Sequence, residues 1–324
     1  MITRHSHHSI LKTIAISVAS IVMCLSVAAC GNSSASTLAE LQGVTAKGES
    51  GKQPTVSFKK PMTIKENSYA VLIKGTGQQL QSGDRVCTQD ITYNARTGAV
   101  IDSTWTKNTP VCTLVLNSNV KQSYLNIFEA QKVGATIAFG IPGTNTSTSN
   151  TNNSSSSSSS SVANASDSYI TALTIVSVSK DLDKAQGTKV TNIPADLPKV
   201  TFNSDGVPTS INMNNYKSNG KLVSQDLIQG NGATLTANDT AVVKYSGWIL
   251  SNGKEFNSDW KNSVDFQLSN TIKGFQQGLV GKKVGSQVLL VIPPDLGYGS
   301  TSNNGITANS TLVFVVDILG AYKN

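Results

Sequence analysis

Histidine is almost missing from this 324-residue sequence, and the three that occur, His5, His7 and His8, all sit at its N-terminal end. Nothing downstream can offer an imidazole, which excludes histidine-dependent catalytic triads and histidine-ligated metal sites from the body of the chain. Cysteine is nearly as scarce: there are four, and no CxxC spacing suggests thiol redox chemistry. Charged residues make up only 14%, and no basic run exceeds the pairs Lys59-Lys60 and Lys282-Lys283. Without a basic stripe there is little to neutralise a phosphate backbone, so nucleic acid is not an expected partner. Aromatics are 6% of the chain, few enough that their placement carries information.

What is present begins with a leader. Arg4 and Lys12 precede a nearly uninterrupted apolar stretch, Ile14 to Ala29, that ends in Val27-Ala28-Ala29-Cys30-Gly31. A basic start, an apolar core and small residues before a cysteine resemble the signal peptide and lipobox of bacterial lipoproteins. The resemblance implies that residues 1–29 are removed and that Cys30 takes the lipid, anchoring the protein to the cell membrane outside the cytoplasm. The histidines leave with the leader, and a scattered +5 of the formal +7 remains, which suits an anionic envelope surface. Residues 30–53 are small and polar and read as a flexible tether. In an oxidising compartment, Cys87 and Cys112 are expected as a disulfide rather than a redox pair.

An internal repeat organises the rest. Val71-Leu72-Ile73-Lys74-Gly75-Thr76-Gly77 matches Asp226-Leu227-Ile228-Gln229-Gly230-Asn231-Gly232 at an offset of 155, held through Gly98/Gly253, Ser103/Ser258 and Trp105/Trp260. Lys132-Val133-Gly134 then matches Lys283-Val284-Gly285, and Ile141-Pro142 matches Ile292-Pro293, at an offset of 151. Ahead of both copies, Pro54 to Phe58 echoes Pro198 to Phe202. Two copies of one domain follow, at 54–180 and 198–324, joined by a linker at 181–197. In the first, a Ser/Thr/Asn insertion at 143–166 contains an unbroken serine run from Ser154 to Ser161, which cannot bury a core. The copies diverge at Tyr245, matched by Asp90, and Phe256, matched by Ile101. Trp105 and Trp260 match each other and read as scaffold; Asp90 and Asp102 read as solvated charges at strand ends.

The second copy is built around Ala241 to Phe275. Ala241 to Leu250 is β-branched and aromatic, as a strand should be. Asn252-Gly253 reads as a tight primed turn, with positive φ at both residues. Val264, Phe266 and Leu268 alternate with polar residues, a half-buried strand, and Ile272, Phe275 and Leu279 fall at helical spacing. Sheet with one short helix predicts an α+β class. Tyr245, Phe256 and Phe275 converge from three elements, the makings of an apolar pocket.

The second copy resembles the FKBP-type peptidyl-prolyl isomerases from about Leu222 to Tyr322. The carriers are Val242-Val243-Lys244-Tyr245-Ser246-Gly247, Gly253-Lys254-Glu255-Phe256-Asn257-Ser258, Ile272-Lys273-Gly274-Phe275, Val284-Gly285, Ile292-Pro293-Pro294-Asp295-Leu296-Gly297-Tyr298-Gly299 and Asn309-Ser310-Thr311-Leu312-Val313-Phe314. The family fold is a bent antiparallel sheet around a short helix. The resemblance implies that Tyr245, Phe256, Phe275 and Phe314 line a prolyl pocket with Phe275 as its floor. It further implies that the Ile272 N–H and the Tyr298 hydroxyl bind substrate carbonyls, that Asn257 bonds Tyr245, and that Val264 and Ile306 form an apolar rim. The family usually has aspartate at the position of Asn257 and often tryptophan at that of Phe275. The implied partners are proline-containing polypeptides and macrolide inhibitors, with no metal and no cofactor. Two readings of other classes stand beside this one: a non-catalytic polypeptide-binding chaperone, and a purely structural surface lipoprotein.

Overall fold

The computed structural model describes residues 38–143, 167–303 and 305–323; the leader, Cys30 and almost all of the serine-rich insertion lie outside them. The chain divides into two compact units between Val178 and Ser179.

The first unit runs β1 (Ala39–Glu40), β2 (Val44–Lys47), β3 (Thr55–Phe58), β4 (Ser68–Ile73), β5 (Asp84–Asn94), β6 (Val100–Ser103), β7 (Val111–Val115), α1 (Gln122–Glu129), β8 (Thr136–Ile141) and β9 (Tyr169–Lys180). Its main sheet has the order β1-β4-β8-β9-β5-β6, with β7 also on β5. The second unit runs β10 (Thr188–Lys189), β11 (Lys199–Phe202), β12 (Pro208–Asn212), β13 (Val223–Gln229), β14 (Asp239–Ile249), β15 (Glu255–Gln267), α2 (Lys273–Leu279), β16 (Gln287–Ile292) and β17 (Leu312–Lys323). Its sheet has the order β10-β13-β16-β17-β14-β15.

The expected α+β class is borne out, and the two sheets share one topology. β4, β8, β9 and β5 correspond to β13, β16, β17 and β14, and the continuous β15 is broken into β6 and β7 in the first unit. A disulfide joins Cys87 on β5 to Cys112 on the neighbouring β7.

Both sheet faces are covered, and this explains the unbroken apolar run of β16. Alternate residues of a strand point to opposite faces. Val288, Leu290 and Ile292 belong to the core beneath α2, whereas Leu289 and Val291 belong to a second core with Trp248 and Leu197. That second core is capped by Val200, Phe202 and Ile211 of the β11–β12 ribbon.

Three expectations are corrected here. The tether at 30–53 is structured from residue 38 onward: β1 pairs in parallel with β4, β2 pairs with β3, and Leu41 and Val44 are buried. Residues 181–197 are not a free linker. The N–H groups of Leu182, Ala185 and Gln186 bond Leu319 O, the Asp317 carboxylate and Gly285 O at 2.9, 2.8 and 2.9 Å, and β10 adds to the sheet edge beside β13. Sparse, spaced apolar residues in both segments were enough to cover a sheet face although neither has a core of its own. The Asn252-Gly253 turn is not a two-residue primed turn, since only Gly253 has positive φ (68°). The loop spans 250–253, closed by Gly253 N–H to Ile249 O and Ile249 N–H to Lys254 O, both at 2.9 Å.

Helix α2 has seven residues, too few to persist alone, and it is held by packing. Its inner face carries Gly274 and Gly278. A Cβ on Gly274 would run into the branched Cγ2 of Ile292, with Cγ1 at 3.1 Å; one on Gly278 would meet only the movable Cδ2 of Leu290 at 2.6 Å. Alanine gains about 1 kcal/mol of helix propensity over glycine, but overpacking a core costs about 1–3 kcal/mol. Gly274→Ala should therefore lower the unfolding free energy in urea, and Gly278→Ala should be near neutral, as read by tryptophan fluorescence.

Candidate active site

Five aromatic rings from four elements meet edge to face in the second unit. Tyr245 of β14 stands 5.4 Å from Phe266 of β15, Phe266 stands 5.6 Å from Phe275 of α2, and Phe275 stands 5.5 Å from Phe314 of β17. Phe256, at the start of β15, meets Phe314 at 5.5 Å with the rings at 87°. Such T-shaped pairs set a ring's positive edge on its neighbour's negative face. They enclose a cleft of about 370 Å³, whose remaining walls are Asn257, Asn270, Thr271, Ile272 and Tyr298. No lining side chain is charged.

Gly247 makes the convergence possible. A Cβ there would fall 2.6 Å from Phe256 Cζ and 2.8 Å from Phe314 Cε1. Beside it, the Tyr245 hydroxyl donates to Asn257 Oδ1 at 3.0 Å. Burial first, then the nearby Asp259 charge and Tyr298, push the Tyr245 phenol above its ordinary range, so it remains a donor at neutral pH. Ile272 is the N-cap of α2 in extended conformation, and its N–H makes no hydrogen bond among the described residues. Tyr298 follows the turn at Pro294–Leu296, in a loop tied by Gly299 N–H to Pro294 O at 2.9 Å and Asn309 N–H to Gly299 O at 2.7 Å.

The structure thus brings together Tyr245, Phe256, Asn257, Ile272, Phe275, Tyr298 and Phe314. It does not bring Val264 and Ile306 to the rim. Ile306 packs in the same core cluster as Phe275 and Phe314 and is not among the residues that line the cleft. Val264 packs against that core opposite Val243. Phe266 was missed although its alternation with Val264 was visible; it pairs with Ala241, whose small side chain leaves room for the ring. Asn270 and Thr271 lie in the bend before α2 and carried no pattern to find. Trp260 donates its indole N–H to Ser246 Oγ at 2.8 Å and packs in the outer core, away from the cleft.

The same positions in the first unit are filled differently. Register places Thr171 opposite Phe139 where Phe314 stands opposite Leu290, and Thr92 opposite Asp102 where Gly247 stands opposite Asn257. Thr92 and Thr171 hydrogen-bond each other at 2.9 Å. Asp90, in the place of Tyr245, is wholly buried rather than solvated. Its Oδ1 accepts from Thr104 at 3.1 Å, and its Oδ2 has no partner among the described residues. Burial drives its pKa up to about 6, against the Thr104 hydrogen bond and with a push from Asp102.

Residues 232–319 match the FKBP-type peptidyl-prolyl cis-trans isomerase family. Over 102 residues the chain is 36% identical to a probable FK506-binding protein of Corynebacterium glutamicum, covering 31% of this chain and 86% of that protein. Over 100 residues it is 41% identical to the FKBP-type peptidyl-prolyl cis-trans isomerase FkpA of Escherichia coli, covering 30% of this chain and 37% of that protein. The solved structure of the same Escherichia coli FkpA aligns at 39% identity over 33% of this chain and 50% of that one, with a TM-score of 0.31. The chain thus spans well under half the length of the curated FkpA that it matches.

Two outcomes follow from this geometry. Gly247→Ala should displace Phe256 or Phe314 and reduce ligand affinity in the cleft, with the displacement visible as shifted aromatic NMR resonances. Because the Asp90 carboxyl is raised in the folded state, its protonated form is the stable one. Its contribution is complete below its ordinary pKa of 3.8 and is lost as pH climbs through about 6. Asp90→Asn should abolish that decline and stabilise the first domain at pH 7 by on the order of 2 kcal/mol in urea titrations.

Proposed function

The chain belongs to the FKBP-type peptidyl-prolyl cis-trans isomerase family, and from that premise we propose that its second domain isomerises X–Pro bonds in exported or surface polypeptides. The observation that carries this reading is the uncharged aromatic cleft of about 370 Å³ with Tyr245, Asn257 and Tyr298 among its lining residues. Rotation about the bond faces a barrier of about 18–20 kcal/mol, held up by amide resonance. Twisting the amide breaks that resonance and reduces its polarity, so an apolar cleft favours the twisted state over the planar one. Catalysis is then preferential binding of the transition state, without nucleophile, metal or cofactor. Phe275 forms the floor, Phe256, Phe314 and Phe266 the walls, and Tyr245 with Asn257 one edge. The Ile272 N–H and the Tyr298 hydroxyl hold the substrate carbonyls. The same cleft would accept macrolide inhibitors.

The first domain is catalytically silent. Asp90, Ile101 and Thr171 occupy the places of Tyr245, Phe256 and Phe314, and neither a proline ring nor a twisted amide gains from a buried carboxyl. The protein is anchored outside the cytoplasm by lipid at Cys30, a reading supported by Val27-Ala28-Ala29-Cys30-Gly31. No helix among the described residues is long and apolar enough to cross a membrane.

A protease-coupled isomerase assay on the full chain tests the proposal. Tyr245→Ala and Phe256→Ala should each lower kcat/KM by about one to two orders of magnitude with the fold retained by circular dichroism. A folded chain without turnover would leave a non-catalytic polypeptide-binding protein as the better reading. Turnover untouched by both substitutions would point to the first domain instead.

A further inference from the structure

The second domain holds another basin, larger than the aromatic cleft, of about 860 Å³. Its walls are residues 211–218 at the end of β12 and beyond it, residues 250–253 between β14 and β15, and residues 307–311 before β17. The first of these walls lies outside the stretch 232–319 that matches the family, so the basin depends on a segment this chain adds to the shared domain.

The chemistry of the walls narrows what fits. Lys217 is the one charged side chain among them, and the rest are chiefly asparagine, serine and threonine, with one aromatic, Tyr216. With one cation and no carboxylate, such walls offer no charged ligand to a metal ion. A side-chain amide offers both donors and an acceptor, the same complement as a peptide group, so it can hold a polypeptide backbone whatever its sequence. Part of this complement is spent on building the wall: Asn214 donates to Ala195 O at 2.6 Å. The side-chain amides of Asn215 and Asn309 make no hydrogen bond among the described residues.

Position supplies the second argument. Gly253 is three residues from Phe256, and Thr311 is three residues from Phe314. At about 3.3 Å per extended residue, the basin begins within about 10 Å of the cleft along either connection. An extended peptide leaving the cleft reaches the basin by turning over the end of the sheet, because Ile211, Met213, Tyr216 and Leu250 of the basin belong to the core on the other sheet face.

We propose that this basin is a distal subsite that holds the backbone of the substrate polypeptide a few residues away from the proline seated in the aromatic cleft. The proposal rests on the isomerase reading. It makes substrate length, more than the residue next to proline, the determinant of efficiency, and it suits unfolded chains better than short peptides.

The test compares a tetrapeptide with a longer peptide that carries the same Ala-Pro core between extended neutral flanks, both with the full chain. The longer peptide should show a kcat/KM about tenfold higher, the equivalent of one or two added backbone hydrogen bonds. Ser251→Trp and Ala308→Trp change exposed basin positions and should bring the ratio of the two constants close to one. A ratio near one in the unaltered chain, or a ratio unchanged in both variants, overturns the subsite. Amide NMR titration with the longer peptide reads the basin independently, with shifts expected across residues 215–218 and at Ser251. If neither peptide is turned over, the isomerase reading fails, and these shifts alone decide whether the basin takes polypeptide. Shifts produced by a neutral oligosaccharide and not by the peptide would make it a sugar site and sink the proposal.

Discussion

Helix α2 can lie close on the sheet because Gly274 and Gly278 present no side chains to Ile292 and Leu290. The cleft depends on that approach. Phe275 is carried between those two glycines, and its ring reaches Phe266 on one side and Phe314 on the other. On the sheet, Gly247 performs the matching service for Phe256 and Phe314. The aromatic box is thus bounded by five rings and depends on the missing side chains of Gly274 and Gly247.

Charge is handled by exclusion. The cleft has no ionisable side chain except the two tyrosines, and burial keeps the Tyr245 proton in place. A neutral asparagine as its hydrogen-bond acceptor leaves the cleft without a formal charge. The first domain shows the opposite arrangement. Asp90 and Asp102 face one another's field where Tyr245 and Asn257 form a hydrogen bond, and the conflict is relieved only as the pH falls through about 6 and the buried carboxyl takes up a proton.

Much of this architecture was legible in the sequence, because the repeat anchors fall where backbones touch. Gly75 and Gly230 both lie against the chain following the helix, and Gly134 and Gly285 share a left-handed conformation at φ 94° and 95°. Such positions tolerate little change, so they persist as recognisable matches. Seven of the ten residues that line the cleft were legible through their motifs, whereas the placement of Val264 relative to Phe266 was not. Two residues of one face are equivalent in an alternating pattern, and both Val264 and Phe266 pack against the same core. The coverings at 38–53 and 181–197 were read as loose chain because their apolar residues follow no period. They cover the sheet with irregular straps, and irregular packing leaves no rhythm in a sequence. Asp90 was misread for a related reason: a single carboxylate beside a second one suggests a wet surface, and only the surrounding strands show that it is sealed.

The hydrogen bond between Thr92 and Thr171 has a consequence for the history of the pair. In the second domain the corresponding residues are a glycine and a phenylalanine, and the ring occupies the space that a side chain at Gly247 would claim. A first domain that regained phenylalanine at position 171 would drive it into the side chain of Thr92. One that regained glycine at 92 would leave a buried hydroxyl on Thr171 without its partner. Neither single step is favourable, and Asp90 would have to change as well. The packed polar pair and the aromatic cleft are thus exclusive alternatives, and no single substitution at Thr92 or Thr171 converts one into the other.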